Sequence, residues 1–171
     1  MSTLVLTAIG DDRPGLVDVL SGVISDHGGS WERSRMARLG GRFAGIVEVV
    51  LPEQQVLVLL RAMADLGEVG THQVTVAGSG DRALPEWPRV GVQLMGSDQP
   101  GLLHAVTSVL SDVGASIEEL STALRDAPMA GGTTFEAVAT VVLPDEAAIE
   151  HLRRGLEDLA SHLMVDIELT D

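Results

Sequence analysis

The sequence GDDRPGLV spans Gly10–Val17 and recurs 86 residues later as GSDQPGLL at Gly96–Leu103. From Gly10 to Glu32 the two copies align without a gap and are identical at 11 of 23 positions. Self-similarity at a fixed spacing indicates repeated structural units. The chain of 171 residues is therefore predicted to contain two copies of one module, with domain 1 at residues 1–78, a linker at 79–88 and domain 2 at 89–171.

The residues around the first copy of the motif predict a strand, a helix and a hairpin. The apolar, β-branched run Thr3–Ile9 is typical of a strand. Gly40-Gly41 is a tight-turn dipeptide between the predicted strands Ser30–Leu39 and Arg42–Leu51. Apolar residues at spacings of three and four predict a helix whose core-facing stripe is Leu16, Val19, Leu20, Val23 and Ile24.

A second helix, beginning at Pro52, and a strand at His72–Ala77 complete the first copy. The second copy repeats this order, with a longer hairpin loop at Asp126–Gly132 and a last strand at Leu163–Leu169. The order βαββαβ predicts two ferredoxin-like domains of the α+β class, each an antiparallel four-stranded sheet with both helices on one face. The other sheet face needs cover from the sister copy or another chain, which favours a homodimer.

Composition and charge exclude several classes of protein. The net charge of −14 opposes binding to a phosphate backbone, so we expect no direct contact with nucleic acid. The densest basic patch is interpreted as a solvated strand face: Arg33, Arg35, Arg38 and Arg42. The lack of Cys excludes disulfides and fits a reducing compartment. No segment has the pattern of a signal peptide or a membrane span, so we expect a soluble cytoplasmic protein.

The repeated motif lies where the first strand of each copy meets the first helix. Asp12 and Asp98 are expected to cap the helix N–H groups, and Gly15 and Gly101 allow close approach of a ligand or backbone. The remaining N–H groups and the helix dipole suit a small anion such as the carboxylate of an amino acid. The residues alone favour a well-built strand-to-helix turn that binds nothing over a ligand site, and both interpretations stay open.

Residues for catalysis or metal binding are not evident. His151 and His162 are about 16 Å apart on one predicted helix, which is too far for a shared metal ion. The sequence has no phosphate-binding loop and no nucleophile-elbow pattern. We therefore expect neither an enzyme nor a cofactor.

Two βαββαβ modules, each with D-[RQ]-P-G-L at the first turn, resemble tandem ACT domains over Thr3–Thr170. The architecture is similar to that of the glycine cleavage system transcriptional repressors and their ACT-only relatives. This resemblance implies a regulatory protein that binds a small amino acid at an interface between ACT domains. It also implies that the protein acts on a partner protein, such as a transcriptional regulator of amino-acid metabolism, with glycine as the suggested ligand.

The resemblance implies ligand-binding residues at the two motifs. In the first copy they are Asp12, Arg13, Pro14, Gly15 and Leu16, and in the second copy they are Asp98, Gln99, Pro100, Gly101 and Leu102. Ser30 and Ser116, which follow the first helix of each copy, are weaker candidates. The two motifs differ at Arg13 and Gln99, so their sites need not be equivalent. A protein-interaction module without a ligand is the alternative, and an enzyme of unknown class is the third hypothesis.

Overall fold

The chain divides into two compact units, Met1–Ala83 and Leu84–Asp171. The structure, a computed structural model, describes residues 1–69, 73–78, 86–126 and 132–170. Within these ranges it describes the side chains of all residues except 67–69 and 73–78. His72, most of the predicted linker 79–88 and most of the predicted loop 126–132 lie outside the described residues. The exact domain boundaries therefore stay a prediction.

Each unit follows the predicted order of elements. The elements of unit 1 are β1 (Ser2–Asp11), α1 (Leu16–Asp26), β2 (Ser30–Leu39), β3 (Arg42–Leu51), a short 3₁₀ turn (Glu53–Gln55), α2 (Val56–Val69) and β4 (Gln73–Gly78). The elements of unit 2 are β5 (Arg89–Ser97), α3 (Leu102–Asp112), β6 (Ser116–Asp126), β7 (Thr133–Val142), α4 (Glu146–Leu163) and β8 (Asp166–Thr170).

Each unit contains one four-stranded sheet, with strand orders β2-β3-β1-β4 and β6-β7-β5-β8. The described strand pairs are all antiparallel. This is the predicted α+β, ferredoxin-like arrangement. The Gly40-Gly41 turn is also confirmed: both residues have positive φ, 58° and 76°, as a two-residue hairpin turn of type I′ requires.

The alternation of side chains along the strands places one face of each sheet in the core. In β1, Leu4, Leu6 and Ala8 are buried, while Ile9 is 42% exposed on the opposite face. The buried face packs with apolar residues of both helices, which in unit 1 are Leu20, Ile24, Leu59 and Met63. Unit 2 has the equivalent core. The buried leucines and valine of its two helices are Leu102, Val106, Leu110, Leu152 and Leu156. Cover for the opposite faces by another copy stays a prediction.

Three sequence predictions differ from the structure in detail. Val19 is 47% exposed, because the buried stripe of α1 is narrower than its apolar spacing suggests and consists of Leu20 and Ile24. Pro52 precedes a 3₁₀ turn, and the α-helix begins only at Val56. The last strand begins at Asp166, since α4 continues through Leu163 and ends at Met164, which has a left-handed backbone.

The core arrangement predicts the effects of truncating two neighbouring leucines of α2. Leu59 is fully buried, whereas Leu57 is 68% exposed. We expect Leu59→Ala to lower the free energy of unfolding by about 2–5 kcal/mol, because it leaves a cavity. Leu57→Ala should change it by no more than about 0.5 kcal/mol. Chemical denaturation of both variants measures the difference, and equal losses would contradict the assigned helix orientation.

Candidate functional site

The two motifs form nearly identical turns, called here turn 1 (Asp12–Leu16) and turn 2 (Asp98–Leu102). In turn 1 the N–H of Leu16 donates to the carbonyl of Arg13 over 3.4 Å, and in turn 2 the N–H of Leu102 donates to that of Gln99 over 3.3 Å. The four-residue β-turns closed by these bonds, Arg13–Leu16 and Gln99–Leu102, each have Pro at the second position and a left-handed Gly at the third. This is the signature of a type II β-turn. The strand therefore reverses directly into the helix.

The glycines of both turns are required by backbone conformation. Gly15 has φ 85° and ψ 3°, and Gly101 has φ 86° and ψ −1°. A Cβ placed on either glycine would meet no atom within 4 Å. Each glycine is also the N-cap of the following helix, and its carbonyl accepts the first helical hydrogen bond over 2.9 Å, from Val19 or Ala105.

The expectation that Asp12 and Asp98 cap these helices is wrong. No side chain caps α1 or α3, because the N-cap position is taken by the glycine that closes the β-turn. By contrast, the side chain of Asp145 caps α4 by accepting from the N–H of Ala148 over 2.8 Å. The N-termini of α1 and α3 thus keep first-turn N–H groups that a side chain does not cap, as an anion site requires.

Turn 1 is tied to the β2–β3 hairpin by ion pairs. Arg38 donates to the carboxylate of Asp12 over 2.8 Å, and Arg42 donates to that of Asp11. Arg13 lies 3.8 Å from Asp11, and the N–H of Asp12 donates to the carbonyl of Gly41 over 3.2 Å. The side chains of these pairs are at least 34% exposed, so each pair contributes only about 0–1 kcal/mol to stability. The sequence had indicated only a solvated face for Arg38 and Arg42.

Turn 2 has a different chemical environment. Ser97 stands opposite Thr134 at the position that Asp11 and Arg42 occupy in unit 1. The amide of Gln99 donates to the carbonyl of Leu163 at the end of α4 over 3.5 Å. Asp98 is exposed, and its N–H donates to the carbonyl of Thr133 over 2.9 Å. The two turns therefore share a backbone but not their charged neighbours.

Ser30 and Ser116 are not near the turn of their own unit. Ser30 pairs with Val50, which in turn pairs with Thr3, at the far end of β1 from turn 1. The eight residue steps from Thr3 to Asp11 span about 27 Å. Both serines are exposed first residues of their strands. A role for them in a site requires the turn of a different domain, which stays a prediction.

The described residues contain no buried polar or charged side chain and no group of His, Asp or Glu able to hold a metal ion. Side-chain hydrogen bonds with Glu118 and Glu136 raise the pKa of Arg89 and of Arg125, respectively, and neither arginine belongs to a turn. None of the described helices combines the length and apolar character needed to cross a membrane.

Comparison with known families identifies the repeated unit. The ACT domain model matches the chain twice, at residues 2–76 and 89–170, and each match contains one of the two turns. This chain belongs to the ACT domain family. Both ACT domains have the ferredoxin-like order of strands described above, so the repeat and the fold agree with the family.

Three other proteins are similar to this chain along nearly its whole length. The glycine cleavage system transcriptional repressor of Escherichia coli is 25% identical over 161 residues, covering 94% of this chain and 85% of the repressor. A crystal structure of an unknown protein from Galdieria sulphuraria is 30% identical, with a TM-score of 0.85 over 99% of this chain and 97% of that one. The structure of a candidate glycine cleavage system transcriptional repressor has the same fold, with a TM-score of 0.70 at 18% identity, over 99% of this chain and 96% of that one. The chain is thus an ACT-domain protein related to a regulatory repressor.

The left-handed glycine predicts opposite effects for two alanine substitutions near the same helix. We expect Gly15→Ala to lower the free energy of unfolding by about 1–2 kcal/mol, because an L-residue is strained at positive φ. Gly22 lies inside α1, where an added Cβ meets no atom within 4 Å. Gly22→Ala should therefore raise stability by about 0.5–1 kcal/mol. Urea denaturation measures both, and a stabilising Gly15→Ala would contradict the turn geometry.

Proposed function

We propose that this protein is a regulatory amino-acid sensor whose ligand carboxylate binds at turn 1, turn 2 or both. The observation that carries the proposal is the twofold occurrence of a glycine-capped helix N-terminus that has no side-chain cap. The partial positive charge of such a terminus favours a carboxylate. Candidate ligand contacts are Asp12, Arg13, Pro14, Gly15 and Leu16 in turn 1 and Asp98, Gln99, Pro100, Gly101 and Leu102 in turn 2, with Ser30 and Ser116 as contacts from a different domain.

The output of the sensor is proposed to be a protein contact. The net charge of −14 opposes direct binding to DNA, while a relative that covers 94% of the chain is named as a transcriptional repressor. These two facts are reconciled if the chain regulates transcription through a partner protein in the cytoplasm, without catalysis of its own. The name of that relative supports glycine metabolism as the regulated process.

A ligand-free interaction module is the second candidate, and one observation favours it. At turn 1, Asp12 and Asp11 already bind Arg38 and Arg42 of the adjacent hairpin. These pairs satisfy the charged side chains around the turn from within the unit. On this hypothesis the turns serve folding alone, and the protein docks on its partner without responding to a metabolite.

Thermal melting with each of the twenty amino acids at millimolar concentration distinguishes the two candidates. A ligand present at 100 times its dissociation constant stabilises the folded protein by about 2.7 kcal/mol. We expect such a shift with at least one amino acid, glycine being the first to test. Absence of a shift with all twenty would favour the ligand-free module.

Three glycine variants locate the ligand once a shift is found. We expect Gly15→Ala or Gly101→Ala to reduce the affinity for the ligand, because the strained turn moves the helix N–H groups. Gly22→Ala leaves both turns intact and should bind as the unchanged protein does. Isothermal titration calorimetry measures each affinity. Unchanged binding by both turn variants would place the ligand elsewhere.

A further inference from the structure

Each sheet has one face that its own helices do not cover, called here open face 1 in unit 1 and open face 2 in unit 2. On open face 1, Ile9 and Ile46 are 42% and 51% exposed, and on open face 2, Met95 and Val138 are 50% and 54% exposed. Each of the four follows or precedes a buried residue of its strand, so it points away from the helices. Such an apolar sheet face indicates a surface that another element covers.

The four apolar residues occupy equivalent positions on the two central strands of each sheet. Ile9 on β1 lies opposite Ala44, so it is displaced by two residues along the strands from Ile46 on β3. Met95 on β5 and Val138 on β7 are displaced from each other in the same way. Diagonal neighbours of this kind are about 7–8 Å apart, close enough for long side chains to touch. Each open face therefore has a diagonal apolar pair at its centre.

The charged residues around these centres differ between the two faces. By strand register, open face 1 has an excess of arginines over carboxylates, in the set Arg33, Arg35, Arg42, Asp11 and Glu48. Open face 2 has an excess of carboxylates over arginines, in the set Arg89, Arg125, Glu119, Glu136, Asp166 and Glu168. A glutamate stands at the bulge of the edge strand in both sheets, and β4 contains no charged residue. Open face 1 is therefore the more positive of the two.

The excess carboxylates of open face 2 lie on β8. Asp166 and Glu168 are exposed, and within the described ranges neither of them forms an ion pair. The two arginines of this face bind other carboxylates of the unit, since Arg89 binds Glu118 and Arg125 binds Glu136. The β8 side of open face 2 thus offers negative charge to a surface that carries arginines.

We propose that open face 1 of one copy of this chain packs against open face 2 of a second copy, with the strands aligned and the equivalent ends of the two sheets together. When the two sheets face each other, the strand orders place β2 over β8, β3 over β5 and β1 over β7. Aligned packing of two sheets about 10 Å apart is the arrangement found in β-sandwiches. The contact does not depend on ligand binding at the turns.

The apolar centres of the two faces fit together in this arrangement. Ile46 on β3 faces β5, the strand that carries Met95, and Ile9 on β1 faces β7, the strand that carries Val138. Because equivalent ends of the sheets coincide, the diagonal from Ile9 to Ile46 crosses the diagonal from Met95 to Val138. The four side chains therefore interdigitate in one cluster, as side chains of two packed sheets do.

The charges of the edge strands favour this contact over a contact between like faces. Arg35 on β2 lies at the level of Ile46, and Glu168 on β8 lies at the equivalent level of Val138, so Arg35 stands over Glu168. Two copies of open face 2 would instead bring two carboxylate-rich surfaces together. Opposite charges across an interface favour association, and like charges oppose it.

The two faces are large enough for a specific contact. The strands have between 5 and 11 residues, so four of them about 4.8 Å apart cover roughly 500 Å². One contact therefore removes about 1,000 Å² from water, counted over both faces, which is about the minimum for a specific interface. A reciprocal contact, in which the second copy also presents its open face 1 to the first, doubles this area and reaches the range of stable dimers.

Single cysteines test which faces meet. The chain contains no Cys, so a chain with one introduced Cys can be cross-linked through its thiol only to another copy. We expect a mixture of Ala44→Cys and Gln93→Cys chains to give a cross-linked dimer with a short bismaleimide, because these exposed residues lie near the centres of the two faces. Denaturing electrophoresis measures the product.

The control mixture pairs Ala44→Cys with Ala147→Cys, which is exposed on α4, and should give no cross-linked dimer. The proposal would be overturned by absence of the product from the first mixture or by equal product in the control. Efficient cross-linking of Ala44→Cys or of Gln93→Cys on its own would also overturn it, because like faces would then meet.

Charge reversal tests the contact of β2 with β8 by sedimentation equilibrium. We expect Arg35→Glu and Glu168→Arg each to raise the dissociation constant of the complex about tenfold, and the double variant to restore most of the affinity. Glu157→Arg makes the same change of charge on the exposed side of α4 and should leave the complex intact. Circular dichroism checks that every variant is folded. A monomeric unchanged chain, a double variant as weak as the single ones, or an equal loss with Glu157→Arg would contradict the proposed contact.

Discussion

Burial of one face of each sheet beneath two helices is the constraint on which the structure depends. Leu4, Leu6 and Ala8 alternate with exposed or half-buried residues along β1, and the same alternation holds in β5. This period fixes which residues of every paired strand point toward the helices. It also fixes the position of each first helix, and so the direction in which the strand-to-helix turn must reverse the chain.

The glycine-capped turn follows from that constraint. A strand that runs beneath its own helix must turn back within four residues, and Pro followed by a left-handed Gly accomplishes this. Since the glycine is itself the N-cap, the motif leaves no place for a capping side chain. One geometric requirement thus explains both the repeated sequence and the available N–H groups, without any need for the two copies to share charged neighbours.

The sequence predicted the architecture well because its signals are local or repeated. The Gly40-Gly41 turn and the spacing of the two motifs fixed the strands and their order. The ion pair between Asp12 and Arg38 joins residues 26 positions apart, so it required the strand register. The cap was mispredicted because Asp near a helix start usually caps, and only the backbone angles of Gly15 reveal otherwise.

The arginine on the helix side of β2 has a consequence for how far assembly can proceed. A chain with two adhesive sheet edges could add further chains at both, and such head-to-tail growth ends in fibres rather than in closed particles. Arg38 places a charge on the outer edge of unit 1 at the position where β6 has Leu124, so the two outer edges of this duplicated protein differ in their protection against edge-to-edge pairing. The charge on β2 therefore opposes one of the two equivalent routes by which a duplicated domain could polymerise through its outer edges.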